Sequence, residues 1–173
     1  RDEYDLATHR YTLHVEQSCP ATPGQLDKLP FVIPLAMGLL GEGGNLPLRQ
    51  AGITPDTETS DNTHTVLTID QPRQTFVFEG VTERPVPSLL RGFSAPVRLQ
   101  YDYSKNDLFA LMRRDSDGFV RWDSSQALST RVIGEVEQQL LACEPPLVDA
   151  LLIEACADLL RDESLDPAMV AAM

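Results

Sequence analysis

The strongest constraint on this chain is where its backbone punctuation falls. Ten of the thirteen prolines and eight of the ten glycines lie before residue 97. Proline lacks the N–H that ladders and helices use, and glycine favours turns. The punctuated part is therefore expected to break into short extended runs, and the rest is free to build long helices.

Within the punctuated part the apolar residues alternate. "RYTLHVEQ" puts Tyr11, Leu13 and Val15 on one face; "TVLTID" does the same with Leu67 and Ile69, and "RQTFVFEG" with Phe76 and Phe78. "PVRLQYDY" continues with Val97, Leu99, Tyr101 and Tyr103. Successive strand side chains face opposite ways, so each run buries one side. Strand-length runs between Pro/Gly/Asn clusters predict an antiparallel β-sandwich.

One run, "PFVIPLAMGLL", is apolar on both faces, and Pro34 within it points to an edge or a bulge. Its second face, built on Val32, Pro34, Ala36 and Gly38, is open to two readings: covered by the chain's own loops, or left for another surface. "GEGGN" reads as the turn into a short strand at 46–49.

After Tyr103 the pattern becomes helical. Ser104 and Asp107 form a capping-box spacing ahead of Leu108, Leu111 and Met112. A second helix beginning near Gly118 or Asp123 would carry Leu128, Val132, Val136 and Leu140, with Ile133 and Leu141 beside them. Pro145 and Pro146 end it and are expected to open a third, presenting Val148, Leu151, Leu152, Ala155, Leu159 and Leu160. "SLDPAMVAAM" starts a fourth, capped by Asp166 with Pro167 in its first turn. Domains at 1–103 and 104–173 are therefore expected, the second a short all-α segment of helical hairpins that either closes as a small bundle or opens a larger helical array. Arginine as first residue and "AAM" as last read as a piece of a longer protein.

The net charge of -12 is spread over both parts, 8 − 13 = −5 for 1–103 and 6 − 13 = −7 for 104–173. Phosphate backbones and anionic lipid surfaces demand clustered Lys and Arg, so neither nucleic acid nor membrane is an expected partner. No apolar run approaches the ~20 residues of a spanning helix. Cys19, Cys143 and Cys156 lack CxxC spacing and read as buried or idle thiols of a reducing compartment, with the cytoplasm as the expected location.

Catalytic patterns are missing from the sequence. His9, His14 and His64 do not stand as HExxH, which would put two ligands on one helix face with a glutamate to activate water. There is no GxSxG, and "GEGGN" lacks the lysine and frame of a phosphate loop. "DSDG" at 115–118 resembles the start of a calcium loop, but position twelve is Gln126, so it reads as a turn between helices. No catalytic and no metal-binding residue is assigned, and no cofactor is expected in this segment. The densest constellation, "LMRRDSDGFVRWDSSQ", joins three arginines, three aspartates and the one tryptophan. Arg113, Arg121, Trp122 and Asp123 are assigned to interdomain packing, since a guanidinium forks onto carboxylates.

"SCPATPGQLDKLPFVIPLAMGLL", "QTFVFEGV", "RPVPSLLRGFSAPVRLQYDYS" and "LMRRDSDGFVRWDSSQ" together, in order and spacing, resemble a segment of the bacterial aminopeptidase N family. The likeness weakens at 46–63 and 129–144. It implies a zinc metallo-aminopeptidase parent acting on peptides, in which this chain is the small immunoglobulin-like β-sandwich and the first helices of a superhelical C-terminal domain. The zinc site, exopeptidase motif and transition-state tyrosine would all lie upstream. The partners implied are the catalytic and C-terminal helical domains of the same polypeptide, with this segment as a spacer. A free-standing β-sandwich protein-binding module is the alternative the residues leave open.

Overall fold

In the computed structural model, which describes residues 1–52, 62–163 and 165–173, the extended part folds around one long central strand. Among the described residues the strands are β1 (Asp2–Asp5), β2 (Arg10–Glu16), β3 (Ile33–Gly41), β4 (Gly44–Leu46), β5 (Thr65–Ile69), β6 (Arg73–Glu79) and β7 (Val86–Leu89). They form two antiparallel sheets. One runs β1-β2-β6; in the other β3 pairs with β4, β5 and β7. Antiparallel sheets followed by helices are what the alternation and the later helical period predicted.

Register explains the core. Tyr11 faces Phe78 and Leu13 faces Phe76 across β2 and β6, and all four are buried. Leu35 opposite Leu67 and Ile33 opposite Ile69 repeat the pattern across β3 and β5. A one-residue slip in either pair would turn these side chains into water, so burial holds the register.

β3 departs from the simple expectation. It is central, not an edge: β4 and β7 both pair with Leu39 and Leu40, so they occupy opposite sides of it. Pro34 is nevertheless tolerated, because at that end β3 is paired with β5 alone among the described residues. The N–H of Ala36, two residues on and aimed at the same edge, is taken by Ser94 Oγ at 3.0 Å. Both faces of β3 are buried from Leu35 to Gly41. The second face is thus covered by the chain itself over most of its length, and of the 31–40 run only its beginning stays open.

Other expectations need correction. The run at 96–103 keeps its alternation of half-buried and exposed residues but joins no ladder. The short strand after the turn lies earlier than 46–49, at Gly44–Leu46. β1 was not anticipated, because "DEYD" is acidic; Asp2 and Tyr4 are its half-buried residues, and the Tyr4 hydroxyl donates to Val81 O at 3.0 Å. β7 was hidden by Pro87. All three cysteines are exposed and free.

The chain divides into units Arg1–Tyr101 and Asp102–Met173. The second holds α1 (Lys105–Arg114), α2 (Gly118–Leu141), α3 (Ala150–Arg161) and α4 (Pro167–Ala172). α1 starts with the expected capping box: Asp107 N donates to Ser104 Oγ at 3.1 Å, and Ser104 N donates to the Asp107 carboxylate at 2.9 Å. Leu108, Met112, Leu128, Ala155 and Leu159 form the core, with Tyr103, Phe109 and Leu152 against it. α3 does not start at the prolines. Asp149 caps it, accepting from Leu151 N at 2.9 Å, and Pro145 and Pro146 stay in the preceding extended turn. α4 is capped by Asp166 with Pro167 in its first turn; Ser164, which opens that stretch, lies outside the described residues, as does part of the weakly matching 46–63 stretch.

Ion pairs fix the helix order. Lys105, at the start of α1, pairs with Asp149 at the start of α3 and with Glu135 of α2. Arg113, at the end of α1, pairs with Glu154 and Asp158 further along α3. α1 and α3 therefore run parallel, with α2 antiparallel to α1.

Candidate functional site

The constellation around residues 111–126 is a built corner. Asp115 ends α1 and Asp117 caps α2, accepting from Val120 N at 3.0 Å, while Asp117 N donates to Asp115 Oδ1 at 2.8 Å. The two aspartates thus serve orphan amides of the helix ends, as a helix–helix turn requires. This is the turn reading of "DSDG".

Arg121 is buried, and its Nε donates to Met112 O at 3.0 Å, an unused carbonyl near the end of α1. Its Nη2 lies 4.0 Å from the Asp162 carboxylate. Burial lowers the guanidinium's pKa, and Asp162 and Asp115 oppose that shift. Arg113 pairs with α3 and also lies over the Phe109 ring, 5.6 Å from its centroid. Both arginines thus have their described partners inside the helical unit. Trp122 is 38% exposed, with the Phe119 ring 5.9 Å away. Asp123 is exposed as a residue, yet partial desolvation raises its carboxyl above the ordinary range.

The histidines are dispersed. His9 sits in the β1–β2 turn at φ 51°, and His64 is exposed ahead of β5. His14 is half-buried on β2, with Nδ1 3.0 Å from Thr75 Oγ1 and Nε2 3.5 Å from Glu3. Among the described residues no three of the His, Cys, Asp and Glu side chains stand together as a metal would need.

Sequence reasoning missed Arg91. It follows Leu90, which takes the left-handed conformation at φ 61°, and precedes Gly92 and Phe93 at φ 60° and 52°. This strained turn folds the side chain back over β3, where it is 4% exposed. Nε donates to Ser88 Oγ at 2.7 Å, Nη2 to Asn45 Oδ1 at 2.9 Å and Nη1 to Thr63 O at 3.3 Å. The only available sequence signal was Gly38, a glycine inside an apolar strand, which marks a close approach.

A last feature is bare surface. On α2, Ile133 and Leu141 are exposed, and beyond it Leu147, Ile153 and Leu160. The stripe expected on α2 is therefore buried at Leu128 and Val132 and uncovered further on. Among the described residues no helix is long and apolar enough to cross a membrane.

Two family models match in succession. Residues 1–102 match a domain of unknown function (DUF3458) with an Ig-like fold, and residues 105–173 match its companion (DUF3458_C), described as ARM repeats. Aminopeptidase N of Escherichia coli (strain K12) is 38% identical over 172 residues, 99% of this chain and 19% of the relative. Aminopeptidase N of Haemophilus influenzae is 34% identical over 87% of this chain and 17% of its own length. A crystal structure of Legionella pneumophila aminopeptidase A in complex with aspartic acid aligns at a TM-score of 0.75 and 28% identity, over 99% of this chain and 17% of that one. The chain thus spans under a fifth of the length of these relatives.

Proposed function

The chain belongs to the aminopeptidase N family, and from that premise we propose that it is the non-catalytic frame of a zinc-dependent aminopeptidase that trims peptides from their N-termini. The observation that carries this reading is the coverage: the likeness takes in 99% of this chain and only 19% of the relative. An Ig-like domain leading into ARM repeats is the order of the two family matches.

In this reading the sandwich, 1–103, is a spacer that sets the helical domain, from 104 onward, over a catalytic domain supplied by the same polypeptide. Holding a lid in place needs stiff, packed contacts and no nucleophile. β3, buried on both faces and pinned by Arg91, supplies such stiffness. The helical unit suits the start of an array, because the apolar side chains left bare on α2 and α3 are what a following hairpin covers. Of the four residues assigned to interdomain packing, Arg113, Arg121, Trp122 and Asp123, Trp122 is the one we propose to face a neighbouring domain.

Zinc belongs to the parent in this reading. The described residues offer no fitting donor set, so no chemical step is drawn through this segment. The compartment proposed is the cytoplasm, which fractionation of the native source would check.

The complete reading frame tests the proposal, with HExxH expected ahead of the codon for Arg1. Purified alone with zinc, the 173-residue chain should not turn over an alanyl chromogenic substrate that the parent hydrolyses. Turnover at the parent's rate would overturn the assignment. A start codon immediately before Arg1 would favour the free-standing binding module instead.

A further inference from the structure

Four of the seven residues at 26–32 are large, apolar and in water: Leu26 is 78% exposed, Leu29 86%, Phe31 51% and Val32 73%. Single exposed hydrophobics are ordinary, but a run of them at one loop marks an interaction surface. The loop is also held in shape. The Gln17 side chain grips both polar groups of the Phe31 backbone, Nε2 donating to Phe31 O and Oε1 accepting from Phe31 N, each at 2.8 Å. Inside the loop Thr22 and Gln25 exchange backbone hydrogen bonds of 3.1 and 2.9 Å around Gly24, which sits at φ 83°. A loop ordered in advance loses little entropy on docking.

The sheet beside it is bare at the same end. Val66 lies opposite Ala36 and Pro34 opposite Thr68, so Pro34 and Val66 are diagonal neighbours on the outer face, both exposed. Further along that face the chain covers itself, with Arg91 over Gly38. The open surface begins where this cover stops.

We propose that the 17–31 loop, with Val32, Pro34 and Val66, is a docking surface for the part of the same polypeptide that precedes Arg1. The inference rests on the reading of this chain as a segment of a longer aminopeptidase. The match leaves most of such a parent outside these residues. Position selects the preceding part. Arg1 O accepts from His14 N at 2.9 Å, and the Arg1 backbone nitrogen lies 3.1 Å from His14 O, only three residues before Gln17. The incoming chain is therefore delivered to the end of β2 from which the loop departs.

The test uses the full-length parent carrying a photo-crosslinking phenylalanine analogue in place of Leu29. The expected product is a crosslinked peptide pair within one polypeptide, its second member from sequence ahead of Arg1. A crosslinked dimer, a second member from beyond Met173, or no crosslink would each overturn the proposal. Independently, Leu26→Asp combined with Leu29→Asp in the parent should make cleavage within 17–31 severalfold faster in limited proteolysis, since the loop would lift from its cover. Unchanged cleavage would also overturn it. A parent that carries HExxH and hydrolyses peptides, yet crosslinks elsewhere, loses only the docking surface; a parent without the motif loses the reading of function itself.

Discussion

Gly38 of β3 lies directly beneath the guanidinium of Arg91, so close that a Cβ there would overlap Arg91 Cζ and both terminal nitrogens. A long side chain could normally swing aside, but this one is buried and bonded to Ser88, Asn45 and Thr63. Glycine and arginine are thus one unit, with the missing side chain making room for the buried charge.

Gly38→Ala is therefore expected to destabilise the sandwich by about 1–3 kcal/mol through overpacking. Urea unfolding followed by far-UV circular dichroism measures it. A midpoint equal to wild type would show that Arg91 moves freely.

Ser104→Ala removes the hydroxyl that accepts from Asp107 N, and leaves one amide of the first turn of α1 unserved. The expected loss is about 1 kcal/mol, the usual cost of a helix N-cap. Ser104→Asp should restore most of it, because aspartate caps as well as serine does.

The Lys105–Asp149 pair makes stability depend on pH at both ends. Lys105 and then the Leu151 N–H hold the Asp149 carboxyl below its ordinary 3.8. That contribution is complete above 3.8 and is lost as pH falls through the depressed value. Asp149 and then Glu135 raise Lys105 above its ordinary 10.5, a contribution present below 10.5 and lost as pH climbs through the raised value. Asp149→Asn keeps a capping side chain but should flatten the acid limb of the urea midpoint plotted against pH. An acid limb as steep as wild type would place the dependence elsewhere.

Trp122→Ala should cost only about 1–2 kcal/mol in this chain, less than the ~3–5 kcal/mol of a fully buried tryptophan, because 38% of the residue is exposed. If Trp122 faces a neighbouring domain, as proposed, the loss measured in the full-length parent should be larger. Equal losses in the two proteins would confine it to its contact with Phe119.

Alternation and helical period were legible because each is a local property that burial on one face imposes. Tyr11 and Leu13 announced the inward face of β2, Phe76 and Phe78 that of β6, and Ser104 with Asp107 the start of α1. Where two local signals competed, the sequence misled. Pro145 and Pro146 looked like a helix start, but Asp149 offers a side-chain acceptor to Leu151 N and takes the cap. Alternation at 96–103 promised a strand, yet among the described residues this run joins no ladder.

The order of residues by itself determined two grammars, a sandwich and then helices, since backbone donors and face periodicity are written residue by residue. Only the tertiary structure decided that β3 is central, that Arg91 closes over Gly38, and that the 26–32 run is left in water. Those outcomes join residues up to 53 positions apart, and no local period encodes which distant side chain will fill a given gap.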